Sequence, residues 1–356
     1  MKETSKERTH KTYLDIIRIF AILTVIFNHT NARGYIYFTT VEPKSAIYWI
    51  SMIFSILCKV NVPLFFMISG VTLLGREETI QEVWNKRIVR FLIVLMLFSL
   101  LQYMIGIKFD ISQCKLVDFL KCIYSSNIIV PYWYLYCYLG FLVLLPFLRK
   151  LAKSMSQKDF LYLITLSVVF QGIIPCLQYR LFAGTVVLNS SFNISSILST
   201  IVLYPLAGYY ISKLSFSNDS LLKMWGITLL SFIIVCYMIT YQISIIDEFQ
   251  EASMREFGSC FKIIQVSTIF ITCKTLFEKL ELTEACKKIL MALGRCTFGI
   301  YLIEQPLREH YYFIYNHLCD FMSPFIAINL YVLFIFSISF LIVWIAKKIP
   351  LISRLI

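Results

Sequence analysis

The stretch Tyr13–Thr30, YLDIIRIFAILTVIFNHT, is a long apolar run that carries three ionisable side chains. A run of this length with few charges is typical of a helix that crosses a lipid bilayer. Asp15, Arg18 and His29 interrupt it. Ionisable groups are costly in hydrocarbon, and those that occur there usually mark a functional site. The stretch therefore predicts a membrane protein with a polar site in its interior.

The composition extends the membrane character to the whole chain. Of 356 residues 58% are hydrophobic and only 15% are charged, and the mean hydropathy is +0.74. Soluble domains contain about 25% charged residues. We therefore expect an all-α, polytopic membrane helical bundle. The first 12 residues are polar and no small-residue cleavage site follows them, so we expect no cleaved signal peptide.

Runs of about 20 apolar residues predict ten transmembrane helices in a single domain covering residues 1–356. The predicted spans are 13–31, 46–74, 88–107, 132–150, 159–177, 195–212, 224–244, 257–277, 292–313 and 324–346. Lys and Arg are concentrated in the tails 1–12 and 347–356 and around the even-numbered loops. By the positive-inside rule both termini then face the cytoplasm. The same rule accounts for the net charge of +12 without a nucleic-acid partner.

The second predicted span is too long for one straight crossing. Its 29 residues would form a helix of about 43 Å, against a hydrocarbon core of about 30 Å. Pro63 interrupts it, and Lys59 and Asn61 stand just before the interruption. A helix broken at membrane depth must be covered by protein or by a water-filled cavity. A tilted or partly interfacial helix is the alternative.

Arg18 and His29 are predicted to share one face of the first helix. They are 11 residues apart, which places them about 16 Å apart along the axis and within about 20° in azimuth. Asp15 lies three residues before Arg18 and can pair with it. Arg18 is then a candidate anion site and His29 a candidate acid or base. A purely structural Asp15–Arg18 pair, and a His29 that only bonds to a neighbouring helix, are the alternatives.

Further candidates lie at the same end as Arg18. Arg87 and Arg90 begin the third span, and their forked guanidinium groups suit phosphate recognition. Ser69 and Gly70 end the second span, where they allow close helix approach or a polar backbone contact.

Glu304 is an intramembrane carboxylate in the ninth predicted span, which makes it a candidate base, proton relay or partner for Lys59. His310, His317 and Asp320 follow it, but their spacing matches no metal motif, so we expect no metal.

Several segments occur in an order that resembles a known family. They are the LDxxR start with R-x10-H (Leu14 to His29), VPLFFMISG (Val62–Gly70), the RxxR of Arg87 and Arg90, YWYLYCYLGFLVLLPFLRK (Tyr132–Lys150) and GRCTFGIYLIEQPL (Gly294–Leu307). Together they are similar to the acyltransferase-3 family of bacterial integral-membrane acyltransferases, in its stand-alone type that acetylates polysaccharides.

The resemblance implies transfer of an acyl group, usually acetyl, from cytoplasmic acetyl-CoA to a hydroxyl of a cell-envelope carbohydrate or lipid-linked precursor, in a bacterial cytoplasmic membrane. The family's histidine corresponds to His29, and its CoA-phosphate role to Arg87 and Arg90. Glu304 stands where many members have His, so it is a candidate second catalytic group. The implied donor-binding and supporting residues are Arg18, Arg87, Arg90, Ser69 and Gly70 for acyl-CoA, and Asp15, Asn28, Lys59, Asn61 and Trp133 for support of the site. A polysaccharide or glycolipid transporter without acyl-transfer chemistry is the competing interpretation.

Overall fold

The computed structural model describes residues 11–246, 254 and 256–356, and every regular element in those residues is helical. This confirms the predicted all-α class. Most of the predicted N-terminal tail, residues 1–10, lies outside the described residues.

The helices follow the predicted spans closely. In the first half they are α1 (Thr12–Asn28), α2 (Ala46–Cys58), α3 (Asn61–Leu73), α4 (Ile80–Val83), α5 (Val89–Gly106), α6 (Leu116–Ser125) and α7 (Trp133–Ser154). In the second half they are α8 (Gln157–Val168), α9 (Ile174–Phe182), α10 (Thr200–Ile211), α11 (Asn218–Ile246), α12 (Lys262–Lys279), α13 (Glu284–His310), α14 (Tyr312–Cys319), α15 (Pro324–Ala346) and α16 (Pro350–Leu355). A π-helical turn joins α4 to α5 (Trp84–Ile88), and another joins α8 to α9 (Val169–Ile173).

Six helical segments are long and apolar enough to cross a membrane within the described part of the chain. They are Ala46–Leu73, Ile80–Gly106, Val130–Ser154, Gln157–Phe182, Asn218–Ile245 and Pro324–Ala346. The other four predicted crossings are helices too, but α1 and α10 have only 17 and 12 residues, while α12 and α13 do not reach the required apolarity. The structure thus supports a multi-pass bundle with six such segments, and the count of ten stays a prediction.

α1 lies in the interior of the bundle. It packs against α13, α3, α12 and α15, and Ile17, Ala21, Ile22 and Ile26 are fully buried. A helix surrounded by other helices can carry polar groups that would be costly against lipid. This position explains how the first stretch tolerates its ionisable residues.

The long second span is broken as predicted. α2 and α3 are separated by a turn at Lys59 and Val60, and Pro63 falls in the first turn of α3. Other groups take up the hydrogen bonds that the break frees. The Asn61 side chain accepts from the backbone N–H of Val62 at 2.6 Å, and Lys262 Nζ donates to the carbonyl of Ile56 at 3.1 Å. Protein covers the broken backbone, as the membrane environment requires.

α3 and α10 cross at backbone contact. A Cβ atom built on Gly70 would lie 1.9 Å from the carbonyl oxygen of Pro205, and one built on Gly208 would lie 2.1 Å from that of Met67. Each helix thus presents a glycine to the backbone of the other, which is how small residues bring membrane helices together.

Candidate active site

α1 places its two predicted site residues on one cavity. Arg18 and His29 both line an internal cavity of about 360 Å³, which confirms that they share a face. Arg18 donates from a terminal nitrogen to Asp15 Oδ1 at 2.6 Å, so the predicted pair is also present. Asp15 is fully buried and packs against Gly294, where a Cβ atom would lie 2.5 Å from Oδ1. The carboxylate braces Arg18 from behind the cavity wall.

His29 contacts Glu304 at the other end of α1. Its Nδ1 lies 2.6 Å from Glu304 Oε1, although the two residues are 275 positions apart in the chain. Glu304 is fully buried, whereas 19% of the His29 side chain is exposed towards the cavity. A carboxylate at this distance favours the tautomer with the proton on Nδ1. Nε2 is then the basic nitrogen available on the cavity side.

Glu304 has a second partner on its own helix. Arg308 Nε donates to Glu304 Oε2 at 3.3 Å, one helical turn further along α13. Lys59, the partner considered from sequence, instead lies with Nζ 4.8 Å from the ring centre of Tyr35. Sequence reasoning missed Arg308, although its i,i+4 spacing from Glu304 was a usable signal.

The cavity wall draws on six parts of the chain. Its lining residues that carry polar groups or aromatic rings are Arg18, Asn28, His29, Asn61, Phe65, Ser69, Thr72, Lys86, Arg87, Arg90, Phe91, Trp133, Tyr134, Tyr138, Thr297, Phe298 and Tyr301, and Leu355 of α16 closes one side. Eight of the residues proposed from sequence are among them. Asp15 and Glu304 instead act on lining residues from behind, and Gly70 faces α10 rather than the cavity.

Two asparagines offer amide groups at the His29 end. Asn61 is almost fully buried and donates from Nδ2 to the carbonyl of Thr24 at 3.4 Å. Asn28 precedes His29, and its buried Oδ1 has no hydrogen-bond partner among the described residues. A buried acceptor without a partner is costly, so Asn28 is suited to receive a donor group from a ligand.

Aromatic side chains form the wall between the two ends. The rings of Tyr134 and Tyr301 meet edge to face, with centroids 5.4 Å apart, and the Tyr301 hydroxyl donates to the carbonyl of Pro131. Tyr138 lies towards the arginine end of the cavity. Its hydroxyl interacts electrostatically with Arg87, Arg18 and Arg90. Trp133 is 41% exposed at the rim. A ligand in this passage would lie against aromatic surfaces.

The arginine end of the cavity is organised by an acidic residue that sequence reasoning missed. Glu78, in the loop before α4, accepts two hydrogen bonds from Arg87, from Nε at 2.8 Å and from a terminal nitrogen at 2.6 Å. Arg149 of α7 donates to the same carboxylate at 2.7 Å and to the carbonyl of Leu73 at 3.1 Å. The hydrogen bonds from Arg87, and then those from Arg149, lower the pKa of Glu78 to about 2. Glu78 therefore fixes the position of Arg87.

Arg90 is held more loosely. Its side chain is exposed, and one terminal nitrogen lies 3.3 Å from the carbonyl oxygen of Leu355. Lys86 is exposed nearby and pairs with Glu82 at 2.7 Å. These cations stand at the mouth of the cavity, where a polyanion would first meet the protein.

In the part of the chain that the structure describes, no group of three or more His, Cys, Asp or Glu side chains is arranged to hold a metal ion. His317 pairs with Asp320 at 3.5 Å on the surface, with both side chains more than half exposed.

No curated protein and no solved structure matches the chain. The family model for the acyltransferase domain, Acyl_transf_3, matches residues 11–347, which is nearly the whole chain. The match covers every residue that lines the cavity except Leu355. The protein thus belongs to this acyltransferase family, and its apolar helices are those of a multi-pass membrane protein.

Proposed function

We propose that the protein is a membrane O-acyltransferase that moves a small acyl group, acetyl in the first instance, from acyl-CoA to a hydroxyl of a cell-envelope carbohydrate or its lipid-linked precursor. The observation that carries the proposal is one continuous cavity with arginines at one end and the His29–Glu304 pair at the other. Family membership supports acyl transfer in general, and the donor and acceptor are inferred from the chemistry of the two ends.

The arginine end suits the donor. CoA carries several phosphate charges, and Arg18, Arg87 and Arg90 present guanidinium groups that match phosphate geometry. Arg18 and His29 are separated by about 16 Å along α1, a distance that an extended pantetheine arm can cover. The thioester would then reach the imidazole while the nucleotide stays at the mouth.

The His29 end suits the chemistry. Nε2 of a neutral imidazole takes the proton of the acceptor hydroxyl as the oxygen attacks the thioester carbonyl. The new C–O ester bond forms, the C–S bond breaks, and the thiolate of CoA takes up the proton. In the alternative route the imidazole itself accepts the acyl group and passes it on. Both routes need His29 neutral, with its ring held in place by Glu304.

The proposal includes an orientation. With both termini in the cytoplasm of a bacterium, the arginine end faces the cytoplasmic acyl-CoA pool, and His29 lies towards the opposite side of the plasma membrane. The acceptor would then be a carbohydrate or glycolipid reaching the cavity from the outer leaflet.

A transfer assay with purified protein tests the proposed function. Membrane protein in lipid nanodiscs is given radiolabelled acetyl-CoA and a glycan extract, and labelled product is counted. We expect the wild type to transfer label and His29→Ala to lose at least about a hundredfold in rate, because general-base assistance alone contributes about 100- to 10,000-fold.

His317→Ala is the matched control, since it removes an exposed histidine that does not line the cavity. It should transfer acetyl like the wild type. A His29→Ala protein with unchanged transfer would rule out the assigned chemistry, and a wild type that neither transfers nor releases label would rule out acetyl-CoA as donor.

A further inference from the structure

Arg308 is the third member of a chain of side chains that ends at the imidazole. Its Nε contacts Glu304 Oε2 at 3.3 Å, while Glu304 Oε1 contacts His29 Nδ1 at 2.6 Å. Glu304 is fully buried and only 17% of the Arg308 side chain is exposed. The proposed function assigns roles to His29 and Glu304 and leaves Arg308 without one.

The structure holds Arg308 in this position from two sides. It lies four residues after Glu304 in α13, on the same face of the helix. Its carbonyl accepts a hydrogen bond from the hydroxyl of Tyr331, which connects the last turns of α13 to α15. The backbone of Arg308 is thus held by α13 and α15, and its guanidinium contacts Glu304.

The contact between Arg308 and Glu304 affects where a proton is held, because the charge of Glu304 must be balanced. A fully buried carboxylate requires a positive partner, because an unpaired charge is expensive to bury. The imidazolium form of His29 is one possible partner, and the guanidinium of Arg308, which is always charged, is the other. With Arg308 in place His29 can give up its proton and stay neutral. Without Arg308 the His29–Glu304 pair binds one proton more tightly, whichever of its two members carries it.

Within the residues that the structure describes, tyrosines surround the pair. The charge of Glu304 acts on the phenols of Tyr132, Tyr301 and Tyr331, and a phenol donates hydrogen bonds without being cationic. Their hydroxyls donate to the backbone carbonyls of Leu302, Pro131 and Arg308, respectively.

Two further cations lie on neighbouring segments and make cation–π contacts with aromatic rings. Arg33 lies 3.8 Å from the ring centre of Tyr312, and Lys59 Nζ lies 4.8 Å from that of Tyr35. Among the ion pairs of the described residues, Arg308 is the arginine that contacts Glu304.

We propose that Arg308 is a positioning residue that balances the charge of Glu304 and thereby keeps His29 neutral and basic at neutral pH. Its consequence for catalysis rests on the proposed function, since both routes of acyl transfer need the neutral imidazole. The role is electrostatic, so a lysine at this position should preserve most of it and a neutral side chain should not.

The pH dependence of acyl transfer tests the proposal. In Arg308→Gln we expect the rate to reach half its maximum at a pH higher by about one unit or more than in the wild type, because removal of a charge at this distance shifts proton binding by that order. For a shift of one unit, transfer at pH 7 should fall about twofold to fivefold and recover at pH 9. Arg308→Lys should keep the wild-type midpoint, and Arg308→Met gives a second neutral variant if the glutamine protein is not recovered folded.

Two controls separate the electrostatic role from a structural one. Arg33→Gln removes a neighbouring cation that does not contact Glu304 and should leave the midpoint unchanged. In a Glu304→Gln background, Arg308→Gln should cause a smaller shift, because the carboxylate that holds the guanidinium and whose charge it balances is gone. A rate lowered equally at every pH in Arg308→Gln, or an unchanged midpoint, would overturn the proposal.

A second measurement does not depend on activity. Diethyl pyrocarbonate modifies neutral imidazole, so its reaction rate with His29 against pH reports the protonation of this residue in a protein with His10, His310 and His317 changed to Gln. The same upward shift is expected in Arg308→Gln. If the wild type transfers no acyl group but the modification curve shifts, the proposed function fails and the role of Arg308 stands. If acyl transfer occurs but neither the rate curve nor the modification curve shifts, the proposed function stands and the role of Arg308 fails.

Discussion

At the scale of single residues, Glu78 connects parts of the chain that the sequence keeps apart. It receives hydrogen bonds from Arg87 at the start of the third predicted span and from Arg149 near the end of α7. Arg76 lies 4.0 Å away on the same loop. One carboxylate thus organises several cations, and Arg87 can direct its remaining surface towards the cavity.

Replacement of Glu78 should be costly in a pH-dependent way. Its pKa lies at about 2, below the usual value of 4.5, so its ionised form stabilises the folded protein by about 2 to 3 kcal/mol at neutral pH. That contribution is fully present above the unfolded-state pKa and is lost as the pH falls through the folded-state value. The melting temperature of the wild type should exceed that of Glu78→Gln at pH 7, and the difference should shrink between about pH 4.5 and 2.

Glu77→Gln is the matched control, because Glu77 is 85% exposed and pairs with the exposed Lys153. Exposed ion pairs contribute little, so its melting temperature should stay within a degree or so of the wild type. Equal effects of the two changes would contradict the role assigned to Glu78.

The residues of α1 show which contacts of the site could be predicted from the sequence and which could not. The Asp15–Arg18 pair could be predicted because both partners stand on one helix, three residues apart. The His29–Glu304 contact could not, since it joins positions 275 residues apart and depends on how α1 and α13 pack. The sequence marked Glu304 as unusual by its depth in an apolar span, but its partner there was an open question.

At the scale of elements, the crossing of α3 and α10 determines where one cavity wall stands. Gly70 and Gly208 each meet the backbone of the opposite helix. Ser69, the neighbour of Gly70, lines the cavity. A glycine proposed for donor binding therefore contributes by allowing the helices to approach.

Gly70→Ala should destabilise the protein, because its Cβ would lie 1.9 Å from the carbonyl oxygen of Pro205 and the helices would have to separate. We expect a loss of about 2 kcal/mol or more, the range for overpacked interiors. Gly226→Ala is the matched control: it lies inside α11 with nothing within 4 Å of its Cβ position. Alanine there should stabilise by up to about 1 kcal/mol.

Thermal unfolding in detergent distinguishes the two glycine variants. A Gly70→Ala protein that melts at or above the temperature of Gly226→Ala would show that the α3–α10 crossing has room for a methyl group. Acyl-transfer rates measured on the same samples report whether the change at Gly70 also affects the cavity that Ser69 lines.

At the scale of the whole molecule, the helix that carries Asp15 and Arg18 lies among other helices. α1 is surrounded by α3, α12, α13 and α15, and the helices that meet the length and apolarity of a membrane span include α5, α7, α11 and α15. Apolar runs predict the outer helices well because lipid demands apolar residues there. They predict the inner ones less well, since a helix covered by protein is free to be short or polar, as α10 and α13 are.

Thiol labelling can test the predicted ten crossings and their direction. With both termini in the cytoplasm, the exposed Cys114 and Cys122 lie outside the cell, and the exposed Cys286 lies inside. If α10 crosses the membrane, a cysteine at Ser215→Cys is inside as well. A membrane-impermeant maleimide on intact cells should then label Cys114 and Cys122, and should label Cys286 and position 215 only after permeabilisation.

The labelling results that would contradict the predicted orientation and the predicted crossing of α10 differ from each other. Labelling of Cys286 in intact cells, with Cys114 and Cys122 protected, would reverse the orientation. Labelling of position 215 with Cys286 still protected would mean that α10 does not cross, which would agree with six crossings rather than ten.

The backbone contact between α3 and α10 also limits how the cavity could be enlarged, by design or by evolution, for donors with longer acyl chains. α3 cannot retreat, because Pro205 and Met67 already meet the glycines of the crossing. Space for a longer acyl chain would have to come from other parts of the wall, such as Val94 of α5 and Leu142 of α7, which line the cavity. Selection or design for chain length should therefore change α5 and α7 and leave the α3 face as it is.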